Sequence, residues 1–491
     1  MRIICLLFIV TMLLATFASA TERPNILFIF SDDHAYWALG AIGHPIVQTP
    51  NLDRLAKGGT VFTNAYNQGG WHGAICVPSR AMLHTGRFVW NAKTDMDRGL
   101  EPFTPAEREH YNSQQLPRLL HDSGYETYFT GKWHVDARGG VLSVPVAPLF
   151  DHLGTVRMGG MPPVPESTYN RPIEGQEDTW SPHDPQFRGF WIGGTHWAEV
   201  LANDAVTMIE QATNSDKPFF IYLSFNSPHD PRQAPKEYVD MYPQERMDVP
   251  PNFLPENPFK DAMGTPADLR DERLAPFPRT EYAVRVHRAE YYAMITHMDT
   301  QIGRIFDALD ASGKRENTII IYTSDNGLAV GAHGLFGKQS MFEHSVKIPL
   351  IIAGPGLPEQ KQIDTPVYMQ DVMPTMLEIA GREIPAHVQF KSLLPLLSGE
   401  RIQQYEAIYG AYMPGRQRMV RQGDYKLIVY PVARTVLLFN LKDDPHEITN
   451  LAGRPEYIQT IRSLLDELKR LQQETGDPLE LDASTLTGVV P

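Results

Sequence analysis

Pro24-Asn25-Ile26-Leu27-Phe28-Ile29-Phe30-Ser31, followed at once by Asp32-Asp33, is the stretch that decides the fold. It is apolar throughout, as a strand buried on both faces of a parallel sheet must be, and it ends in paired carboxylates. The same grammar recurs along the chain. Tyr125 to Thr130 runs into Gly131-Lys132-Trp133-His134, and Pro218 to Phe225 runs into Asn226-Ser227-Pro228-His229-Asp230. Asn317 to Ser324 runs into Asp325-Asn326-Gly327, and a further strand, Val346 to Ala353, ends at Gly354-Pro355-Gly356. Helical stretches separate them: Pro50 to Gly58, Gln114 to Ser123, Ala198 to Ala212, Tyr282 to Ser312 and Gln370 to Ala380. Helices alternating with near-continuous apolar strands predict an α/β fold with a large, mostly parallel sheet sandwiched by helices. Ligands bind beyond the carboxyl ends of such strands, so the polar clusters after Ser31, Thr130, Phe225 and Ser324 are expected to meet in space.

Between these elements, residues 135–195 and the Pro-rich run to Thr280 lack periodicity and read as loops. From about Ser398 the pattern changes to short strands, Ala407 to Ala411, Arg418 to Arg421, Tyr425 to Tyr430 and Val436 to Asn440, and then a last helix from Pro455 to Glu474. A smaller C-terminal antiparallel sheet plus helix is expected. The chain therefore divides into 1–20, a catalytic part 21–397, and a C-terminal α+β part 398–491.

The N-terminal stretch from Ile3 to Phe17 is apolar, follows Arg2 and ends in Ala18-Ser19-Ala20, the pattern of a secretory signal peptide. It is short for a stable membrane span, and no later segment is long and apolar enough to make one. The protein is thus expected to be exported, to the periplasm or beyond. A formal net charge of −14 without any run of Lys or Arg argues against nucleic-acid binding, which needs a basic face. Any anionic substrate must meet positive charge gathered locally.

Two cysteines are present, Cys5 and Cys76, and removal of the leader leaves Cys76 alone. A lone cysteine makes neither an internal disulfide nor a cysteine-based metal cluster. It lies in Ala74-Ile75-Cys76-Val77-Pro78-Ser79-Arg80, with Ala81-Met82-Leu83-His84-Thr85-Gly86-Arg87 beyond. Pro78 suits a first helical turn and Gly86 a helix end. Cys76 is therefore placed just before a helix N-terminus, where an anion is favoured, with Arg80 one turn on. Asp32-Asp33 and Asp325-Asn326, oxygen-rich pairs at two strand ends, suit a hard divalent cation, though either pair alone can be a turn or cap. Lys132 and His134, at alternate positions, point to one side of an extended chain. His229 lies between prolines, and Lys338 follows Gly337; each has an ordinary surface or packing explanation by itself. His34, Trp37, Trp71 and His72 are pocket-wall or packing candidates, and His196 and His333 are weaker ones.

Cys76-x-Pro78-x-Arg80 followed by Thr85-Gly86-Arg87 resembles the signature of the type I, formylglycine-dependent sulfatases of the alkaline-phosphatase-like superfamily. Val77 and His84 depart from its usual small and apolar residues. Leu437-Leu438-Phe439-Asn440 through Asn450-Leu451 is similar to the C-terminal part of the same enzymes, so nearly all of the mature chain is covered. The resemblance implies that Cys76 is oxidised by a maturation enzyme to formylglycine, whose hydrate is the nucleophile. It implies Asp32, Asp33, Asp325, Asn326 and the modified Cys76 as ligands of Ca2+, with Mg2+ as the other choice. It implies that Arg80 holds the nucleophile's charge, that Lys132 and Lys338 bind sulfate oxygens, that His229 protonates the leaving alcohol, and that His134 assists breakdown of the sulfated intermediate. The expected substrate is a sulfate ester, with sulfated carbohydrate suggested by the long insertions and nearby Trp residues. A phosphomonoester or phosphonate hydrolase on the same scaffold, and a non-catalytic glycan-binding relative, remain the alternatives.

Overall fold

The computed structural model describes residues 23–98, 104–135, 146–159 and 162–488; the predicted leader, 1–20, lies outside them. Eight strands form the main sheet: β1 (Asn25–Ser31), β2 (Gly59–Phe62), β3 (Glu126–Lys132), β4 (His152–Arg157), β5 (Phe219–Ser224), β6 (Thr318–Ser324), β7 (Leu350–Ala353) and β8 (Lys361–Ile363). Their spatial order is β8-β2-β7-β6-β1-β5-β3-β4. All neighbours run parallel except β7, which is antiparallel to both β6 and β2.

The apolar run of β1 is explained by what covers it. Ile26, Phe28 and Phe30 face one core with residues of α3 (Leu116–Asp122) and α6 (Val372–Ile379). Leu27 and Ile29 face the other core, made with α1 (Pro50–Lys57), α4 (Trp197–Thr213) and α5 (Glu281–Ala311). A strand whose every side chain meets a helix layer cannot alternate with polar residues.

Two expectations are corrected. The apolar run from Val346 to Ala353 is not one strand: Glu343–Val346 is a helical turn, Lys347–Ile348 pairs with Ala65–Tyr66, and only β7 joins the main sheet. Pro349 stands at the break, since it has no N–H for a ladder. The stretch 135–195 is not all loop, because β4 forms an edge of the main sheet. Its residues are half-buried or exposed, and Gly154 interrupts it, so no apolar run marks it.

The second sheet is built from β9 (Ile408–Tyr412), β10 (Gln417–Gln422), β11 (Tyr425–Tyr430) and β12 (Thr435–Asn440), all antiparallel, with Gly69–Gly70 added beside β9. Helix α7 (Ile458–Thr475) covers it through Ile461, Leu464, Leu465 and Leu468. Gly69–Gly70 ties this sheet to the segment that carries Cys76. A Cβ on Gly69 would lie 2.1 Å from the Ala411 carbonyl oxygen, and one on Gly70 would lie 2.5 Å from the Pro78 ring. Among the described residues, no helix is long and apolar enough to cross a membrane.

Candidate active site

The register of the sheet aligns the strand ends. Ser31 pairs with Ser324, Phe30 with Ser224, and Gly131 with Ser224. Four adjacent strands, β6-β1-β5-β3, therefore stop together, and the polar residues after them share one space. Helix α2 (Cys76–Thr85) points its first residue into that space and ends at Gly86, whose φ of 68° lets its N–H reach the Met82 carbonyl.

Arg80 locks the helix in place. Its Nε and Nη2 donate to Asp325 Oδ2 at 3.1 and 3.0 Å, and its Nη1 donates to the Lys132 carbonyl at 2.8 Å and to Ser224 Oγ at 2.7 Å. The guanidinium has no solvent exposure, and its bonds reach three different strand ends. Ser79 Oγ adds a bond to the Asp325 carbonyl at 2.9 Å.

Cys76 Sγ lies 3.3 Å from Asp32 Oδ1 and 3.9 Å from Asp33 Oδ1. Lys338 Nζ is 2.9 Å from the sulfur and donates to both Asp33 oxygens at 2.7 Å, while Lys132 pairs with Asp32. His229 Nε2 is 3.7 Å from Asp33 Oδ2, and its Nδ1 donates to the Asp230 carbonyl at 2.6 Å, which fixes the ring. His134 lies on the same cavity but not on an extended chain: its φ is 45°, and its Nδ1 is buried without a partner. The cavity holds about 300 Å³ and is lined by Cys76, Lys132, His134, His229 and Lys338 together with Leu269, Arg270, Asp271 and Gln339.

Three buried carboxylates so close shape each other's ionisation. Burial works against ionised Asp32, but Lys132, His229, Arg80 and Lys338 outweigh it and hold the carboxyl well below its usual range. Burial pushes Asp33 well up; Lys338 opposes it, and the charges of Asp32 and Asp325 add to it. Asp325 is raised by burial and by Asp32. The thiol of Cys76 is raised well above its ordinary value by burial, then by Asp32 and Asp325. Burial, with help from Lys338 and Lys132, lowers His229 to about 4.

One ligand atom each from Asp32, Asp33, Cys76 and His229 lies within 4.8 Å of the others, a spacing that can hold a metal ion. Asp325 and Asn326 sit beside this group in different company. Asp325 Oδ2 is taken by Arg80 and its Oδ1 accepts the Asp33 amide at 3.0 Å. Asn326 accepts a bond from Asn67 Nδ2 at its Oδ1, 2.7 Å away, and turns its Nδ2 toward Cys76 Sγ at 3.7 Å, so its carboxamide must rotate to offer oxygen.

Arg270, Asp271 and Gln339 escaped sequence reasoning. The first two lie in the Pro-rich excursion, which carries no periodic signal. Gln339 Nε2 donates to Asp271 Oδ2 at 2.7 Å and to the Gly73 carbonyl at 3.0 Å, and Arg270 Nη2 is 3.2 Å from Asp230 Oδ1. The weaker sequence candidates lie elsewhere. His34 is buried between Tyr322 and the Ala38 carbonyl, His196 caps α4, His333 stacks on Phe342, Trp71 packs on the second sheet's core, and His72 is exposed.

A sequence model described as Sulfatase matches residues 24–382, and one described as N-sulphoglucosamine sulphohydrolase, C-terminal, matches residues 331–474. The chain belongs to the sulfatase family. It is a sulfuric ester hydrolase of the alkaline-phosphatase-like fold. An N-acetylglucosamine-6-O-sulfatase of Bacteroides thetaiotaomicron is 27% identical to this sulfatase over 93% of this chain and 88% of the relative. A solved structure in complex with its substrate D-glucosamine-2-N,6-O-disulfate superposes with a TM-score of 0.70 at 25% identity, covering 93% of this chain and 99% of that one. The phosphonate monoester hydrolase of Agrobacterium radiobacter shares the fold, with a TM-score of 0.70 at 22% identity over 92% of this chain and 96% of its own.

Proposed function

We propose that this sulfatase is exported and hydrolyses sulfate esters of carbohydrates, using a formylglycine made from Cys76 beside a divalent cation, Ca2+ or Mg2+. The observation that carries the proposal is the convergence of Asp32, Asp33, Lys132, His134, His229 and Lys338 on residue 76. A buried thiol with a raised pKa is a poor nucleophile, so the residue at the centre of this site is ill suited to act as cysteine. The aldehyde hydrate would supply an oxygen nucleophile and a second hydroxyl for release of sulfate.

The donor set fits a hard cation. Three buried carboxylates stand at adjacent strand ends, and the upward push on Asp33 and Asp325 is the strain that a cation relieves. Asp32, Asp33 and the oxygens of residue 76 would hold it, with Asp325 and Asn326 alongside, and it would polarise a sulfate oxygen. Lys132 and Lys338, freed from Asp32 and Asp33, are then the cations that meet the sulfate oxygens, stabilising the charge that grows there. Arg80 orients residue 76 through its bonds to Asp325, Lys132 and Ser224. His229, fixed through Nδ1, presents Nε2 to the departing alcohol oxygen and gives it a proton. The arriving anion raises the proton affinity that burial has lowered. His134 accepts the proton lost from residue 76 when sulfate leaves.

A carbohydrate substrate is supported by the activity for which the Bacteroides relative is named and by the disulfated glucosamine bound in the solved neighbour. It is also supported by the polar wall of Arg270, Asp271 and Gln339. Export is supported by the leader-like residues 1–20. The test uses protein co-expressed with a formylglycine-generating enzyme. The residue-76 peptide should lose about 18 Da, the exchange of SH2 for O. Sulfate should be released from a panel of sulfated mono- and polysaccharides, and Cys76→Ala should fold and release none. Full turnover by Cys76→Ala refutes the mechanism.

A further inference from the structure

A second cavity, of about 440 Å³, lies where the loops of the main sheet meet the small sheet, and shares no lining residue with the cavity at Cys76. Its walls include Tyr36, Trp37, Pro250, Leu441, Lys347 and Arg421. Buried charge surrounds one side. Lys426 pairs with Glu343 and Glu447, each at 2.9 Å. Arg421 donates to Asn64 Oδ1 at 3.0 Å and to the Tyr66 hydroxyl, with its Nε buried and unpartnered. Lys347 Nζ stands 3.9 Å from the centre of the Tyr36 ring, and no described residue gives it an ion pair. Lys426 takes both Glu343 and Glu447, so Lys347 and Arg421 face the cavity with no described carboxylate in ion-pair contact, and the charges of Glu343, Asp364 and Asp424 reach them only from a distance. On the opposite wall Arg288 and Asp248 cancel. His344, 7% exposed, also lines the cavity and leaves Nδ1 without a partner.

We propose that this cavity is a second, non-catalytic saccharide site, taking a sugar that bears one anionic group, carboxylate or sulfate, seated on Lys347 and Arg421. The sugar as its source rests on the carbohydrate reading given above. A bound anion gives these two cations the contact partner that Lys426 has and they lack. Burial, with Arg421 and Lys426, drives the Lys347 ammonium down to about 8 against the pull of Glu343 and Asp364, a penalty that a bound anion eases. Trp37, Pro250 and Leu441 offer apolar surface to the C–H faces of a ring, and the volume suits one or two sugar residues.

Glucuronic acid carries no sulfate for the Cys76 cavity, so it isolates this site. It is titrated by calorimetry into the full chain and into Lys347→Gln and Arg421→Gln, with N-acetylglucosamine 6-sulfate titrated into the same variants on a Cys76→Ala background. A loss of about tenfold in affinity for either sugar on substituting Lys347, with glucose binding unchanged, upholds the proposal. Superimposed isotherms for both sugars, or no binding to the unsubstituted chain, overturn it. In unsubstituted protein, glucuronate should protect Lys347 from an acylating reagent, read by peptide mass; equal labelling with and without the sugar also overturns it. Turnover of an aryl sulfate should be unchanged by Lys347→Gln. If the mature wild type released no sulfate from any ester, the sulfatase mechanism would fail while the glucuronate titration still decided the cavity.

Discussion

Replacing Lys338 by methionine keeps the bulk of the side chain and removes one charge from the centre of the site. Its ammonium lies 2.7 Å from both oxygens of Asp33 and 2.9 Å from the sulfur of Cys76, and the residue is 2% exposed. Two unit charges about 4 Å apart at an effective dielectric of about 20 interact by roughly 4 kcal/mol. At about 1.4 kcal/mol per tenfold in rate, loss of this cation from the reacting sulfate should lower kcat by about 10²–10³. Asp33 also loses the partner that opposes its raised pKa, and the site loses a cation that competes with the divalent ion for Asp33, so metal content must be measured beside the rate. The assay is kcat and kcat/KM on an aryl sulfate, with metal content and residue-76 conversion measured on the same preparation. Lys338→Arg, which keeps the charge but crowds a buried slot, should recover part of the loss. A fall in kcat of less than tenfold, at wild-type metal content and conversion, would show that Lys338 does not stabilise the transferring group.

Three further outcomes follow from the same geometry. His84 is fully buried between Trp133 and Tyr222 with neither ring nitrogen bonded, and burial, then Arg80, lowers it to about 3. Its folded pKa lies below the unfolded value near 6.5, so the unfolded chain takes the proton first and stability is lost as pH falls from about 6.5 toward 3. His84→Leu should therefore gain about 2 kcal/mol more over wild type at pH 5 than at pH 8 in urea unfolding, and equal gains at both pH values would refute this. Gly131→Ala should fail to give folded protein, because its φ is 103° and a Cβ there would lie 2.0 Å from the Ser224 carbonyl oxygen; soluble, active protein would contradict that spacing. Chelation should abolish sulfate release, and Ca2+ or Mg2+ should restore it; full activity after dialysis against EDTA would remove the cation from the mechanism.

Much of the site was legible because polarity switches sharply at strand ends. β1, β5 and β6 are apolar until their last residues, so Asp32, His229 and Asp325 mark where each leaves the sheet, and the register places Ser31 beside Ser324 and Ser224 one residue back, beside Phe30. β4 was illegible for the opposite reason: as an edge strand it is half-buried, and His152, Gly154 and Arg157 carry no period. The helix Pro105–Ser113 did leave a readable mark, Thr104 and Glu107 closing a capping box, but no apolar stripe drew attention to it. Lys338 shows the limit of residue type. In sequence it is an ordinary lysine, and only the fold brings it from a loop to Asp33, 305 positions away. Arg270 and Asp271 show another limit, since a Pro-rich loop has no repeat from which to infer which side chains turn inward.

Charge counting separates sulfate from phosphate on this scaffold. Asp32, Asp33 and Asp325 balance Arg80, Lys132 and Lys338, so the buried site is formally neutral and a divalent cation makes it +2. With His229 neutral, as burial holds it before the ester arrives, an ionised oxygen nucleophile contributes −1 and a sulfate ester −1, which closes the balance on binding; a phosphate monoester dianion leaves −1 unmatched in a buried site. Sulfate should therefore be preferred at neutral pH. A phosphate monoester dianion takes up a proton near pH 6 and then carries the same charge as the sulfate. The ratio of kcat/KM for matched aryl phosphate and aryl sulfate should thus rise as pH falls from 8 to 5, because titration of the enzyme's own groups cancels in the ratio. A flat ratio, or one that favours phosphate throughout, would mean that shape rather than charge selects the ester, and would move the balance toward the phosphonate hydrolases that share the fold.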